Sequence, residues 1–184
     1  VTESEPGPVQ HRRSAPALAV LLAVTALLGG CTAREPAAAG STAALGVPPG
    51  AGARSTADEY ARRVVALVNT RREQAGCEPL RTDDRLAAAA RAHAGDMASR
   101  GYYEHKSPEG RDGGDRIAAE GYRWSRWAEN IHKGPEGPEA AVTGWLESPT
   151  HEQIVTDCAL KDTGVGVSLE PGGPWWVQDF ATGG

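Results

Sequence analysis

Apolar positions along this chain fall into three regimes. Ala15 to Leu28 is a nearly unbroken apolar run, Thr32 to Arg54 has no apolar period, and from Thr56 onward the apolar residues recur at regular spacing. Tyr60, Val64, Leu67 and Val68 share one helical face with Arg71, and Gly76 ends the pattern. Thr56-Ala57-Asp58-Glu59 ahead of them reads as a capping box and predicts the helix start. A second helix is expected from Asp83 to Arg100, with Leu86, Ala90, His93 and Met97 on one stripe and Gly101 as its stop. A short third helix is expected over Asp115 to Glu120. A fourth begins at Pro138 and carries Val142, Trp145 and Leu146. The period then changes to two. Thr163 to Leu169 and Pro174 to Phe180 alternate around Pro171-Gly172-Gly173, which predicts a hairpin, and Tyr122 to Trp124 and Trp127 to His132 read as two further short strands. Helices first and antiparallel strands late predict an α+β layered domain.

The first two regimes concern address rather than fold. His11-Arg12-Arg13 precedes an apolar run too short for a comfortable membrane span, so residues 1–30 are expected to be a signal peptide with an upstream extension. Leu28-Gly29-Gly30-Cys31 resembles the bacterial lipobox, which implies lipidation at Cys31 and anchoring to the outer face of the cell membrane. The alternative is ordinary cleavage nearby with Cys31 an incidental thiol, and both readings export the domain. Residues 31–55 are expected to be a tether, rich in Ala, Gly, Pro, Ser and Thr, holding the domain about 25–30 Å from its anchor. Residues 56–184 are expected to form one domain. Of three cysteines, lipid on Cys31 leaves Cys77 and Cys158 to bridge in an oxidising compartment; two separately buried thiols are the alternative. The net charge is −5, without a basic block, which argues against a nucleic-acid partner.

Candidate chemistry rests on His105, Glu129 and His151. Two imidazoles supply half a tetrahedral zinc shell, and Glu129 is either a third ligand or the carboxylate that orients a histidine. A zinc with an open position is chemistry for a hydrolase. The metalloprotease pattern His-Glu-x-x-His, however, would need histidine where Val155 stands. Ser107 and Ser148 lie near His105 and His151, but neither is in a Gly-x-Ser-x-Gly elbow. His93, on the apolar stripe of its helix, reads as a core histidine. Trp175 and Trp176 must face opposite sides of one strand, and together with Tyr102 and Tyr103 they are the aromatic candidates for a groove wall. Glu129-Asn130 equally suits a structural role, holding neighbouring loops.

Seven segments in order resemble bacterial domains of the CAP superfamily, which groups cysteine-rich secretory proteins, antigen-5 allergens and plant pathogenesis-related proteins. They are Leu67 to Arg72, Gly76 to Leu80, His93 to Ala98, His105 to Gly110, Ala128 to Ile131, Trp145 to His151 and Trp175 to Phe180. The resemblance implies a three-layer α-β-α sandwich with a central antiparallel sheet. It also implies a cleft lined by two histidines and one or two glutamates, which binds zinc in some members. His105, Glu129 and His151 occupy the matching positions, with His105 and His151 the implied metal ligands, and Glu147 is a candidate second acid by its proximity to His151. Thr150 and Glu152 depart from the glycine and arginine usual beside the second histidine; Glu152 either acidifies the cleft or points to solvent. The expected function is an extracytoplasmic binding module at the cell envelope, with a lipid, peptide or glycan as ligand. The alternatives are a metal-dependent hydrolase of peptide or cell-wall bonds, and a structural envelope protein with a vestigial cleft.

Overall fold

The computed structural model describes residues 50–184. The expected signal peptide, Cys31 and the tether as far as residue 49 lie outside the described residues. The first helix, α1 (Gly50–Gln74), begins earlier than the capping box predicts. Thr56 to Glu59 therefore lie inside it, and residues 50–55, expected as tether, are helical. The alanines there favour helix once a turn exists to extend. A two-residue strand, β1 (Arg81–Thr82), was not foreseen. Next come α2 (Asp84–Arg100), capped by the Asp83 side chain and closed by Gly101 at φ 69°, and α3 (Gly113–Ala119), which carries a capping box from Asp112 to Asp115. The two short strands expected around Trp124 and Trp127 are one strand, β2 (Trp124–Lys133), with a register shift between Trp124 and Arg126. After α4 (Pro138–Leu146) comes a helix that the sequence reading missed, α5 (Pro149–Val155), which carries His151. The predicted hairpin closes the chain as β3 (Asp162–Ser168) and β4 (Trp175–Gly183). Among the described residues no helix is long and apolar enough to cross a membrane.

The sheet runs β1-β3-β4-β2, antiparallel except where β1 lies parallel to β3. Its two faces are covered by different helices. On one, Val64 and Val68 of α1, Trp145 of α4 and Val155 of α5 pack on Val165, Trp176 and Phe180. On the other, Ala90, Ala94 and Met97 of α2 meet Ile131, Trp175 and Val177, and Ile117 of α3 joins Leu86, Tyr122 and Ala181. This is the α-β-α sandwich, and the two tryptophans are buried on opposite faces, as strand alternation requires. Neither lines an open groove.

α2 sits on the backbone of β3. A Cβ on Gly164 would lie 2.0 Å from the amide nitrogen of Ala87, and one on Gly166 would lie 2.2 Å from the carbonyl carbon of Ala90. Only glycine, at alternate positions of the strand, permits that approach.

The opposite end is fastened differently. Cys77 and Cys158, 81 residues apart in sequence, are joined by a disulfide with Cα atoms 4.9 Å apart. Beside it Arg72 is fully buried, donating to the carbonyls of Glu78, Val155, Asp157 and Leu160 at 2.9–3.1 Å. Asn69 exchanges two hydrogen bonds with the backbone of Leu80.

Candidate functional site

The site is organised by two neighbours in β2. Consecutive strand residues point to opposite faces, so Glu129 projects toward α2 and α3 while Asn130 projects toward α5. Glu129 accepts from Nδ1 of His105 at 2.7 Å, and its other oxygen accepts from Nη2 of Arg116. Arg116 comes from α3, and its Nη1 also donates to the carbonyls of His105 at 3.0 Å and Arg111 at 3.1 Å. The guanidinium thus fixes the loop whose imidazole meets the same carboxylate. On the other face Asn130 Nδ2 donates to the carbonyl of His151 at 3.3 Å. One dipeptide grips both histidine-bearing segments, one through a side chain and the other through backbone.

β2 is an edge strand, and the segments flanking the site close over that edge. The carbonyl of Ile131 accepts from the Tyr103 hydroxyl at 3.2 Å and from the Trp145 indole at 3.0 Å, one from each side of the sheet. Tyr103 remains 43% exposed. Of the aromatic residues offered as a groove wall, it is the exposed one, and its hydroxyl sits on the strand that carries Glu129.

Charge at the site is set by burial. The Glu129 side chain is 1% exposed, whereas that of His105 is 54% exposed. Burial pushes the Glu129 pKa up, but the hydrogen bond from His105 and the charge of Arg116 outweigh it and hold the carboxyl below its ordinary range. Asp179 lies directly across the ladder from Glu129 and is fully buried, with no partner for either oxygen as an acceptor among the described residues. Its burial, then the neighbouring negative charge of Glu129, push its pKa well up. A protonated Asp179 facing an ionised Glu129 satisfies both observations, because the acid then donates where a second carboxylate would repel. Burial pushes His151 down, reinforced by His105 and by His132. His132 is lowered by its own burial. His93 is buried in the core, as read, and bonds through Nε2 to the Glu104 carbonyl at 3.0 Å.

Of the residues singled out in the sequence, His105 and Glu129 are in direct contact, and His151 lies near enough for His105 to influence its titration. Glu147 is exposed at the C-terminal cap of α4, and among the described residues it bonds to neither histidine. Glu152 neither faces the cleft nor stands free in solvent: it pairs with Arg71 of α1 at 2.7 Å. Arg116, Asp179 and His132 were missed. Asp179 carried a legible signal, a carboxylate in phase with the buried Trp175 and Val177. Arg116 carried none, since its role is made by three segments meeting.

For a metal, the donor set is short. Both Glu129 oxygens and Nδ1 of His105 are engaged, leaving Nε2 of His105 and the imidazole of His151. Among the described residues no three His, Cys, Asp or Glu side chains are placed to share an ion. The Glu129–His105 pair does match the carboxylate-backed imidazole found behind metal-bound histidines. A backed imidazole with an exposed Nε2 can also accept a proton.

The cysteine-rich secretory protein (CAP) family model matches residues 65–180. The uncharacterized protein YkwD of Bacillus subtilis is 33% identical over 128 residues, which are 70% of this chain and 49% of YkwD. Among solved structures, an extracellular protein containing an SCP domain from Bacillus anthracis superposes with a TM-score of 0.68 and 25% identity, covering 73% of this chain and 44% of that one. An outer surface protein of Borrelia burgdorferi superposes with a TM-score of 0.63 at 18% identity, covering 67% of this chain and 92% of its own, a likeness of fold. The chain thus spans about half the length of YkwD and less than half of the B. anthracis protein.

Proposed function

The chain belongs to the cysteine-rich secretory protein (CAP) family, and on that footing we propose that it is an exported binding module of the cell envelope. In this reading the cleft of His105, Glu129 and His151 holds a ligand without turning it over. One observation carries it: both oxygens of Glu129 are buried and engaged, by His105 and Arg116. The carboxylate that a hydrolase would use as base or ligand is therefore committed to holding the wall. Two other candidate nucleophiles are committed too. Cys77 is in the disulfide, and Ser107 is buried in a turn where its hydroxyl accepts from the Arg111 amide.

Export is supported by the N-terminal apolar run, by the disulfide and by the likeness to the B. anthracis protein, which is described as extracellular. Lipid at Cys31 is the anchor in this reading. Cys31→Ala should shift the protein from the membrane fraction to the medium, and continued retention would remove the anchor from the proposal. A divalent cation such as zinc is held by His105 and His151, with Glu129 orienting His105, and two protein donors make the site weak. Calorimetric zinc titration of the domain, repeated with His105→Ala and His151→Ala, tests this. Unchanged heats in either variant would sink the assignment.

A second reading has its own observation. His105 is presented as a general base is, with Nδ1 tied to a buried carboxylate and about half of the side chain exposed. Incubation with peptides and peptidoglycan fragments, with and without zinc, separates the two. Turnover that disappears in His105→Ala would replace the binding module with an enzyme.

A further inference from the structure

Oδ1 of Asn130, Oε1 of Gln178 and Nδ1 of His151 are buried without a hydrogen-bond partner among the described residues. They belong to one region of the fold. Asn130 on β2 lies directly opposite Gln178 on β4. Gln178 is in phase with Trp176 and Phe180, so both amides face the side of the sheet that α5 covers. Asn130 is also bonded to the backbone of His151. Both amides are 0% exposed, while the part-exposed His151 has Nδ1 buried.

The orientation of each amide is fixed by its other end. Asn130 Nδ2 donates to the His151 carbonyl, which can only accept. Gln178 Nε2 donates to Thr163 Oγ1 at 3.1 Å, and that hydroxyl has spent its hydrogen on the Asp179 carbonyl at 2.8 Å. Turning either amide over would set oxygen against oxygen. Both carboxamide oxygens are therefore acceptors that need a donor, and leaving them without one is costly. A single water meets the demand, since a buried water typically bridges about three such groups. Its two hydrogens go to Oδ1 and Oε1. It has none left for His151, so Nδ1 must donate to the water oxygen, and the neutral ring carries its proton there. We propose that Asn130 and Gln178 are positioning residues for His151, holding it as the Nδ1–H tautomer through one buried water. The ring lone pair is then on Nε2, as it is on His105, whose Nδ1 donates to Glu129. The value of that lone pair to a cation rests on the cleft reading above; the tautomer does not.

Nitrogen NMR of the zinc-free protein, with the ring neutral, tests this. A protonated Nδ1, an unprotonated Nε2 and a cross-peak from Nδ1–H to a long-lived water are expected. Gln178→Met removes one acceptor and leaves Thr163 on the Asp179 carbonyl. The water then has a hydrogen to spare for Nδ1, so the ring should lose the Nδ1–H signature and populate Nε2–H. A merely structural Gln178 would change stability and leave the tautomer alone. Zinc affinity should fall about tenfold in the same variant, whereas a parent that takes up no zinc would count against the cleft reading alone. An Nε2–H ring in the parent, absence of the water cross-peak, or an unmoved tautomer in Gln178→Met would each overturn the proposal, and the parent spectrum decides it even if the variant does not fold.

Discussion

Two arginines are buried among the described residues, and they do different work. Arg72, at the disulfide end, has its charge dispersed over four backbone carbonyls from two stretches of chain. Arg116, at the cleft end, faces a carboxylate and two carbonyls and keeps its Nε without an acceptor. Arg72 meets no buried counter-charge, so its burial is a matter of solvating loop backbone from inside; the cost of taking it from water lowers its pKa, and only Asp157 opposes that. Arg116 is half of an ion pair whose other half also holds an imidazole at the surface. Arg72 spends its donors on its surroundings, whereas Arg116 leaves one donor unspent.

The contrast can be broken most severely at Arg72. Arg72→Met strands four carbonyls where water cannot reach them all, and should cost about 5 kcal/mol, measured by urea denaturation, with no specific effect at His105 beyond global unfolding. Arg116→Met leaves Glu129 as an uncompensated buried charge, with an expected loss of about 3 kcal/mol. Here the sharper reading is local: the ring resonances of His105 should broaden or move while the methyl spectrum around Trp145 and Val155 stays native. If both variants lose stability equally and neither perturbs His105, the distinction between scaffold and site is wrong.

Asp179 gives a comparison in pH. An unfolded aspartate releases its proton near pH 4, while burial and the charge of Glu129 keep Asp179 protonated to higher pH in the folded state. Folding therefore takes up a proton, and this residue's contribution to stability is greatest below the unfolded pKa and falls as pH rises through the window above it. The amide introduced by Asp179→Asn neither gains nor loses a proton. The stability of that variant relative to the parent should thus improve as pH rises from about 4 through the window above it, and a constant difference would show that Asp179 is ionised in the fold. The smallest effect is expected at Glu152→Ala. Its pair with Arg71 is about a third exposed, so the change should stay within about 0.5 kcal/mol, and zinc binding at the cleft should be unaltered.

Much of this arrangement could be read from residue spacing where burial repeats along one element. The α2 stripe of Leu86, Ala90, His93 and Met97 gave both the helix and the core role of His93, and the alternation around Trp175 and Trp176 gave the last strand and its two faces. The start of α1 was misplaced because Thr56 to Glu59 carry capping chemistry that a helix already under way does not need. β2 was divided because its register shift near Trp124 interrupts the period. α5 is two turns long and offers no repeat to detect. Arg116, and the facing of Glu129 by Asp179, were illegible for another reason: they are contacts between elements far apart in the chain, and composition does not announce which charges will meet.

The double hold on the Ile131 carbonyl has a consequence for association. An edge strand with free outward carbonyls is a template on which another polypeptide can add a strand, the route to sheet-to-sheet aggregation. β2 is the long edge of this sheet, and the other edge, β1, is two residues long. With Tyr103 and Trp145 both donating to Ile131, the docking point in the second half of β2 is occupied from within the same chain. The rings beside the cleft therefore also act as a guard against self-assembly. A variant that removes both, Tyr103→Ala with Trp145→Phe, would open the molecule to its own copies.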